Sequence, residues 1–294
     1  MRALVAIMPL AAAVATMAVA APKKAPAPAV APKKAAPTVA AAGHIKVDPA
    51  IARAVADPGR SAADRARDKY RHPAETLSFF GLKPGMTVVE MLPGGGWYSA
   101  ILAPTLAAEG RYVAAVPPGK ATESFNALVA GDQPRYGKAA IVTYTPGQQT
   151  ELVPAGTADM VLTFRNIHNL LGEPGQPGDG DAPQAFADWF RALKPGGTLG
   201  IEEHRLPEPS DAALEKTNGY VKRSTVIRLA MAAGFRLEGA SDVNANPKDD
   251  HDHPKGVWTL PPTFALGDQD RAKYAAIGES DRMTLRFVKP QAGG

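Results

Sequence analysis

Polar side chains capable of acid–base chemistry follow two strands of the predicted sheet. Asn166 and His168 come directly after a buried apolar strand. Glu203 and His204 end the next predicted strand along the chain. Because the carboxyl ends of parallel strands meet at one edge of a doubly wound sheet, we expect these four candidate catalytic residues to line a substrate site. A histidine side chain can take up and release a proton at physiological pH, so His168 is the candidate general base, and a histidine in a structural hydrogen bond is the alternative.

The run from Glu202 to Arg205 has two interpretations. Alternation along a strand places Glu203 and Arg205 on one side and His204 on the other, which favours a place for Glu203 or His204 in the site. The alternative is an internal ion pair between Glu203 and Arg205.

A glycine-rich loop forms a second candidate site at the predicted sheet edge. The apolar strand Thr87–Met91 carries an acid near its end, and three consecutive glycines and a helix start follow it. Glycines let a ligand approach the backbone and a helix N-terminus directs amides outward, as in sites for nucleoside-containing ligands. The alternative is a tight turn capped by an acid. The candidate binding residues are Glu90, Pro93, Gly94, Gly95, Gly96, Trp97 and Tyr98.

Three other groups of residues allow more than one interpretation. Tyr70–His72 predicts either a lid over the site or a helix cap. Asp249–His253 has the carboxylates and imidazoles that suit a divalent ion, but five consecutive residues cannot all reach one ion, so we expect a solvated acidic loop and no metal. The tryptophans are expected to pack, Trp189 in the core, and Trp97 and Trp258 as candidates to line the pocket.

Strands alternate with helices along the chain, which predicts the α/β class with a doubly wound, mostly parallel sheet covered on both faces. Asp48 before Pro49 is a helix start signal, and Ser61 is another, for a charged helix through Asp68. The insertion at 244–280 is predicted to be a loop with one short helix.

The first 43 residues differ in composition from the rest. A basic start, an apolar run and the small residues Ala18-Val19-Ala20 predict a secretory signal peptide at 1–20. Residues 21–43 are rich in Ala, Pro and Lys and predict a disordered tether. Residues 44–294 predict one globular domain, which the signal would make secreted or periplasmic.

Composition excludes several classes of site and partner. The chain has no cysteine, which excludes disulfides, thiolate metal sites and cysteine nucleophiles. The first 43 residues hold five of its 33 basic side chains and none of its 29 acidic ones, so the rest is nearly neutral. We therefore expect a small-molecule substrate, no nucleic acid and no membrane span after signal removal. The tether lysines are candidates for a loose contact with an anionic envelope surface.

The order of these motifs resembles that of class I S-adenosylmethionine-dependent methyltransferases, and more narrowly that of a group of exported bacterial proteins described as predicted methyltransferases. The resemblance spans roughly residues 65–290. The matching stretches are Tyr70–Pro73, Val89-Glu90 with Pro93–Tyr98, Arg165–Asn169, Leu193–Gly197, Glu203–Arg205, Gly256–Pro262 and Gly278–Arg282.

The resemblance implies a seven-stranded Rossmann-like sheet whose last strand, Met283–Val288, is antiparallel. It also implies S-adenosylmethionine as cofactor, with its methionine part held by Gly94–Gly96 beside Glu90. The acid that usually ends the second strand and binds the ribose has no counterpart in Ala115–Pro118. The implied activity is methyl transfer, in which positioning of the two reactants supplies most of the catalysis.

Two other function classes stay open from the sequence. One is an exported binding module that keeps the fold and the pocket without methyl transfer, because the predicted signal takes the chain away from the cytoplasm, where the cofactor is made. The other is a metal-assisted enzyme that uses His168, Glu203 or the acidic loop.

Overall fold

A mixed sheet of eight strands lies at the centre of the computed structural model, which describes residues 45–291. The strands are β1 (Thr87–Met91), β2 (Arg111–Val116), β3 (Ala140–Thr143), β4 (Ala158–Phe164), β5 (Leu193–Leu206), β6 (Val221–Lys222), β7 (Arg236–Ser241) and β8 (Arg282–Val288). Their order is β3-β2-β1-β4-β5-β8-β7, and β6 pairs with β5. The predicted signal peptide (1–20) and tether (21–43) lie outside the described residues.

The strand directions confirm the predicted doubly wound sheet. β1 to β5 pair in parallel, whereas β8 is antiparallel to both of its neighbours, β5 and β7. β8 was predicted as the antiparallel last strand. The short β6 is an additional strand, which the sequence did not predict. Because β8 is antiparallel to β5, its first residue, Arg282, lies beside the carboxyl end of β5 and opposite His204.

Helices cover both faces of the sheet, because its strands are apolar on both sides. The helices are α1 (Pro49–Ala56), α2 (Ala62–Arg65), α3 (Asp68–Arg71), α4 (Pro73–Phe80), α5 (Ser99–Leu106), α6 (Lys120–Gly131), α7 (Gln133–Tyr136), α8 (Ala182–Ala192), α9 (Arg223–Ala232) and α10 (Arg271–Ile277). One hydrophobic cluster joins α1 and α4–α7 to the sheet, and a second joins α8 and α9 to it. Short 3₁₀ turns lie at Ile167–Leu170, Ala212–Lys216 and Gly256–Thr259.

The helix start predicted at Asp48 is confirmed. Asp48 accepts a hydrogen bond from the N–H of Ala50, 2.9 Å away, at the start of α1. The single helix predicted after Ser61 is wrong, since the structure has two short helices, α2 and α3. The carbonyl of Asp64 accepts from the N–H of Arg67 and from the indole of Trp97, so the helical hydrogen-bond ladder stops there.

The segment between β7 and β8 is held to the domain by a buried carboxylate. Asp249 accepts hydrogen bonds from the Tyr220 hydroxyl, the His253 ring and the N–H groups of His251 and Asp281. The predicted solvated acidic loop is therefore wrong for Asp249, although Asp250 is exposed. Long-range partners that no local pattern shows explain this difference. Within residues 45–291, no helix combines the length and apolarity needed to cross a bilayer.

Candidate active site at the carboxyl edge of the sheet

The glycine loop after β1 has a tightly packed inner side and an open outer side. Leu92, Gly94 and Gly96 all have positive φ values, of 51°, 57° and 80°. A Cβ added to Gly96 would lie 2.5 Å from Leu128, whereas one added to Gly94 or Gly95 would meet nothing within 4 Å. The exposed outer side therefore allows a ligand to approach the backbone.

Glu90 points into the core below this loop. Its carboxylate accepts hydrogen bonds from the hydroxyls of Ser99 (2.7 Å) and Tyr112 (2.6 Å). Burial raises the pKa of Glu90 to about 7, against the opposing effects of these two hydrogen bonds and the charge of Arg165. Glu90 thus lies next to the loop with its hydrogen-bonding capacity directed inward.

Aromatic side chains fill the crevice between the ends of β1 and β4. Tyr98 stacks on Phe164 with ring centroids 3.5 Å apart, and its hydroxyl donates to Glu202 at 2.8 Å. Trp97 is buried beneath the guanidinium groups of Arg60 and Arg71. The recess that remains has a volume of about 20 Å³, little more than one water molecule occupies.

Asn166 closes the same crevice. Its amide nitrogen donates to the carbonyls of Met91 and Leu92 and to the hydroxyl of Thr163. The predicted site residue therefore joins the end of β4 to the loop after β1. In this structure its amide positions the backbone of the loop.

His168 and Glu203 form a hydrogen-bonded pair, with 3.0 Å between His168 Nδ1 and Glu203 Oε1. Glu203 is fully buried and also accepts from the N–H groups of Ile167 and His204. An ionised carboxylate only accepts, so the neutral ring of His168 carries its proton on Nδ1 and leaves Nε2 to accept one. This is the arrangement in which a carboxylate orients a general base.

His204 lies beside this pair, with ring centroids 5.4 Å from His168. Its Nδ1 is 2.5 Å from the hydroxyl of Ser280. Burial, reinforced by the charges of His168, Arg165 and Arg282, holds the pKa of His204 well below its ordinary value. His204 is therefore a neutral hydrogen-bonding group of the site. The alternative interpretation, an internal ion pair of Glu203 with Arg205, is wrong, because Arg205 pairs with Asp281 and Asp242.

Two cavities meet at His168. The first, called the arginine cavity here, has a volume of about 300 Å³. Its polar lining residues are Arg67, Arg71, Arg165, His168, Asn169, His204, Thr263, Glu279 and Ser280. The second, called the loop cavity, has a volume of about 420 Å³ and is lined by Glu173, Asp181, Glu215 and Lys216 among others. His168, Asn169 and Trp258 line both cavities, and Trp258 is 39% exposed.

An ion-pair network that sequence reasoning missed forms one wall of the arginine cavity. Glu279 accepts from Arg67 at 2.7 Å and from Arg71 at 2.9 Å. Arg282 pairs with Glu279 and with Glu202. Tyr70–His72 and Gly278–Arg282 did stand out as motifs of the resemblance, but 208 positions separate Arg71 from Glu279. Arg71 is a buried wall of the cavity rather than a lid, whereas His72 occupies the N-cap position of α4, as the helix-cap alternative expected.

Two groups of side chains among residues 45–291 bring possible metal-ligand atoms within 4.8 Å of one another. They are His168, Glu203 and His204, and Asp249, Asp250 and His253. Glu203 already accepts three hydrogen bonds and Asp249 accepts several, so both central carboxylates are engaged within the protein. The guanidinium of Arg165 beside the first group also opposes a second positive charge there.

Comparison with known proteins identifies the fold. No family model and no curated protein matches the chain at sequence level. A methyltransferase of Aquifex aeolicus dependent on S-adenosylmethionine is 17% identical with a TM-score of 0.51, and the match covers 83% of this chain and 100% of that one. The [4+2]-cyclase SpnF is 17% identical with a TM-score of 0.52, over 82% of this chain and 92% of that one. The fold is that of the class I methyltransferases.

The fit of S-adenosylmethionine to this structure differs between the two sides of the glycine loop. The recess of about 20 Å³ behind it cannot hold the methionine part of the cofactor. The outer side is open over Gly94 and Gly95, and Gly119 after β2 is equally open. The residues therefore fit a ligand that lies along the outside of the two loops, in contact with their backbone.

Proposed function

We propose that this chain is an S-adenosylmethionine-dependent methyltransferase whose acceptor is a small molecule bound in the arginine cavity. The observation that carries the proposal is the position of the His168–Glu203 pair on this fold. It lies at the carboxyl edge of the sheet, where ligands bind in doubly wound proteins, and it lines a cavity of sufficient volume for a small molecule.

Each residue of the pair has a distinct part in this proposal. His168 Nε2 accepts the proton of the acceptor group, while Glu203 keeps the other ring proton on Nδ1 and stabilises the imidazolium that forms. His204 and Ser280, which line the same cavity beside His168, orient the acceptor. When bound, the cofactor supplies an electrophilic methyl group.

The backbone at Gly94, Gly95 and Gly119 would hold the cofactor, because these positions leave open space at the ends of β1 and β2. Pro93 lies in the same loop, and Trp97 and Tyr98 support its inner side. Asn166 fixes the loop to β4. Direct contact of the cofactor with Glu90, Trp97 or Tyr98 stays a prediction.

A second candidate function is a binding module with this fold and no methyl transfer. The narrow recess and the inward-facing Glu90 favour it, because the structure leaves no cavity behind the glycine loop for the methionine part of the cofactor. In that function the arginine cavity would bind its ligand without a second substrate.

Calorimetric titration of the full chain with S-adenosylmethionine and S-adenosylhomocysteine tests the proposal. We expect binding, and we expect Gly95→Asp to abolish it by adding bulk and negative charge to the open side of the loop. Gly95 suits this test, since its φ is not positive and a side chain there meets nothing within 4 Å.

Gly131→Asp is the matched control, because Gly131 is equally exposed and unobstructed at the end of α6. No binding to the unaltered chain at about millimolar concentration (ΔG weaker than about −4 kcal/mol) would leave the binding module as the better function. Equal binding by Gly95→Asp would place the cofactor elsewhere.

The location of the protein in the cell envelope is also a proposal. It rests on the predicted signal peptide at 1–20. N-terminal sequencing of protein recovered from an expressing bacterium should begin at Ala21, and an intact Met1 would contradict export by cleavage.

A further inference from the structure

We propose that the arginine cavity recognises an anionic group, a carboxylate or a phosphate, on the small molecule that it binds, and that Arg165 is the residue that holds this group. The inference deepens the proposed function by naming the chemical class of the acceptor. It concerns the acceptor side of the site, so it is tested separately from the binding of the cofactor.

Arg165 has hydrogen-bonding capacity that the fold does not use. Its Nη1 atom is buried and has no hydrogen-bond partner within residues 45–291. The nearest carboxylate oxygen, Oε1 of Glu202, is 3.8 Å from Nη1, beyond hydrogen-bonding distance. A buried polar atom without a partner is destabilising, and the Arg165 side chain, which is 19% exposed, lines the arginine cavity, where a ligand can accept from its guanidinium.

The backbone of Arg165 is fixed in a conformation that is unusual for its residue type. Its φ is 60°, in the left-handed region, and its N–H donates to the carbonyl of Glu202 at 2.7 Å. A non-glycine residue is strained in this region and persists there only where its surroundings impose the conformation. The strained turn at the end of β4 directs the side chain to the wall shared by the recess and the arginine cavity.

The four guanidinium groups around the cavity differ in how close their carboxylate partners lie. Glu279 is shared by Arg67 and Arg71, and Glu202 is engaged by Arg282 and by the Tyr98 hydroxyl. Glu203, which pairs with His168, also accepts hydrogen bonds from two backbone N–H groups. The neighbouring His204 is neutral and adds no charge. Arg67, Arg71 and Arg282 each have a carboxylate oxygen at 2.7–2.9 Å, whereas the carboxylate oxygen paired with Arg165 is 3.8 Å away.

This arrangement suits an oxyanion with two oxygen atoms that can accept hydrogen bonds side by side. A guanidinium presents several N–H donors in a fixed fork that matches a carboxylate or a phosphate. Because Arg165 and His168 line the same cavity of about 300 Å³, a small molecule bound through its anion at Arg165 would present another group to the general base. The acceptor is therefore inferred to be a small anion rather than a neutral or cationic molecule.

Calorimetry of the full chain with inorganic phosphate and with acetate tests the inference. The two ligands distinguish recognition of a phosphate from recognition of a carboxylate. We expect at least one of them to bind with a Kd below about 10 mM. Arg165→Gln should weaken the binding by roughly tenfold or more, because a charge-assisted hydrogen bond is lost. Arg165→Lys keeps the charge but loses the forked set of donors, so its affinity for the anion should lie between those of the unaltered chain and Arg165→Gln.

Arg236→Gln is the matched control. Arg236 is exposed at the first residue of β7, which is parallel to β5, so it lies at the opposite edge of the sheet. The Arg236→Gln variant should bind each anion with the same affinity as the unaltered chain. Thermal unfolding of each variant shows that the compared proteins are folded.

Three results would overturn the inference. One is that neither anion binds at about tens of millimolar, and another is that Arg165→Gln binds as tightly as the unaltered chain. The third is that saturating S-adenosylhomocysteine prevents anion binding, because its own carboxylate would then occupy the Arg165 site. Absence of cofactor binding together with normal anion binding would contradict the methyltransferase proposal and leave the anion site intact.

Discussion

At the scale of single residues, Glu90 is the buried acid whose protonation depends most on the fold. Burial raises its pKa from the ordinary 4.5 to about 7. Between these two values the folded chain binds the proton and the unfolded chain releases it, so the free energy of unfolding falls as the pH rises through this window. The shift corresponds to roughly 3 kcal/mol.

We expect Glu90→Gln to flatten this pH dependence, because the amide keeps the shape of the side chain and cannot ionise. Urea unfolding of both proteins at about pH 5 and about pH 8 measures it. His251, whose pKa is held above its ordinary value by Asp281 and Asp249 despite burial, also loses stabilising charge as the pH rises, but equally in both proteins. The same slope in both proteins would show that Glu90 does not titrate in this window.

Glu203 is the residue that orders the proposed general base. Replacing it with alanine leaves the N–H groups of Ile167 and His204 and the His168 ring without their acceptor. We expect Glu203→Ala to lower the free energy of unfolding by about 3 kcal/mol or more.

The control for this prediction is Glu238→Ala. Glu238 is 37% exposed and pairs with Arg286 on the surface, so its loss should cost less than about 1 kcal/mol. Similar losses in the two variants, measured by urea unfolding, would show that the buried carboxylate does not organise the site.

At the scale of elements, two glycines of the glycine loop have different parts. Gly96 is needed for the conformation of the loop, and Gly95 lies on the side proposed to bind the ligand. Gly96 has a φ of 80° and lies where a Cβ would meet Leu128, whereas Gly95 has neither constraint. We expect Gly96→Ala to destabilise the fold by about 1–3 kcal/mol and Gly95→Ala to change stability by less than about 0.5 kcal/mol. Urea unfolding of the two variants tests this, and equal effects would contradict the described loop conformation.

The carboxylate of Asp249 anchors the segment between β7 and β8 to the rest of the domain. We expect Asp249→Ala to release this segment from Tyr220 and from the N–H of Asp281, and to speed proteolytic cleavage between residues 250 and 276 at least tenfold (an estimate for a loss of about 2 kcal/mol in local stability). Asp250→Ala removes an adjacent carboxylate that is 73% exposed. It should leave cleavage unchanged, and equally fast cleavage in both variants would mean that Asp249 does not anchor the segment.

At the scale of the whole molecule, the sequence predicted what local patterns and the resemblance determine. The bounds of β1 follow from a short apolar run between turn signals, and the predicted strand Thr87–Met91 agrees with the structure. The sheet order brings His168 and Glu203 together, as expected from strand ends at one edge.

What the sequence could not show depends on contacts between distant parts of the chain. Arg71 meets Glu279 only because the antiparallel β8 returns to the carboxyl edge, beside α3. Arg165 belongs to a motif of the resemblance, but the missing hydrogen-bond partner of its Nη1 depends on side chains from other elements and could not be predicted. The same reason made the prediction of a solvated loop wrong for Asp249.

Hydrogen exchange of the full chain, with and without S-adenosylhomocysteine, tests the central claim most directly. The claim is that a nucleoside-containing ligand lies along the outer side of the two glycine-containing loops, next to the arginine cavity. The account predicts slower exchange on ligand addition at the backbone N–H groups of residues 92, 94–98 and 119–121, with no such change in Gly95→Asp. Unchanged exchange in both loops at a saturating ligand concentration, or protection confined to other parts of the chain, would contradict it.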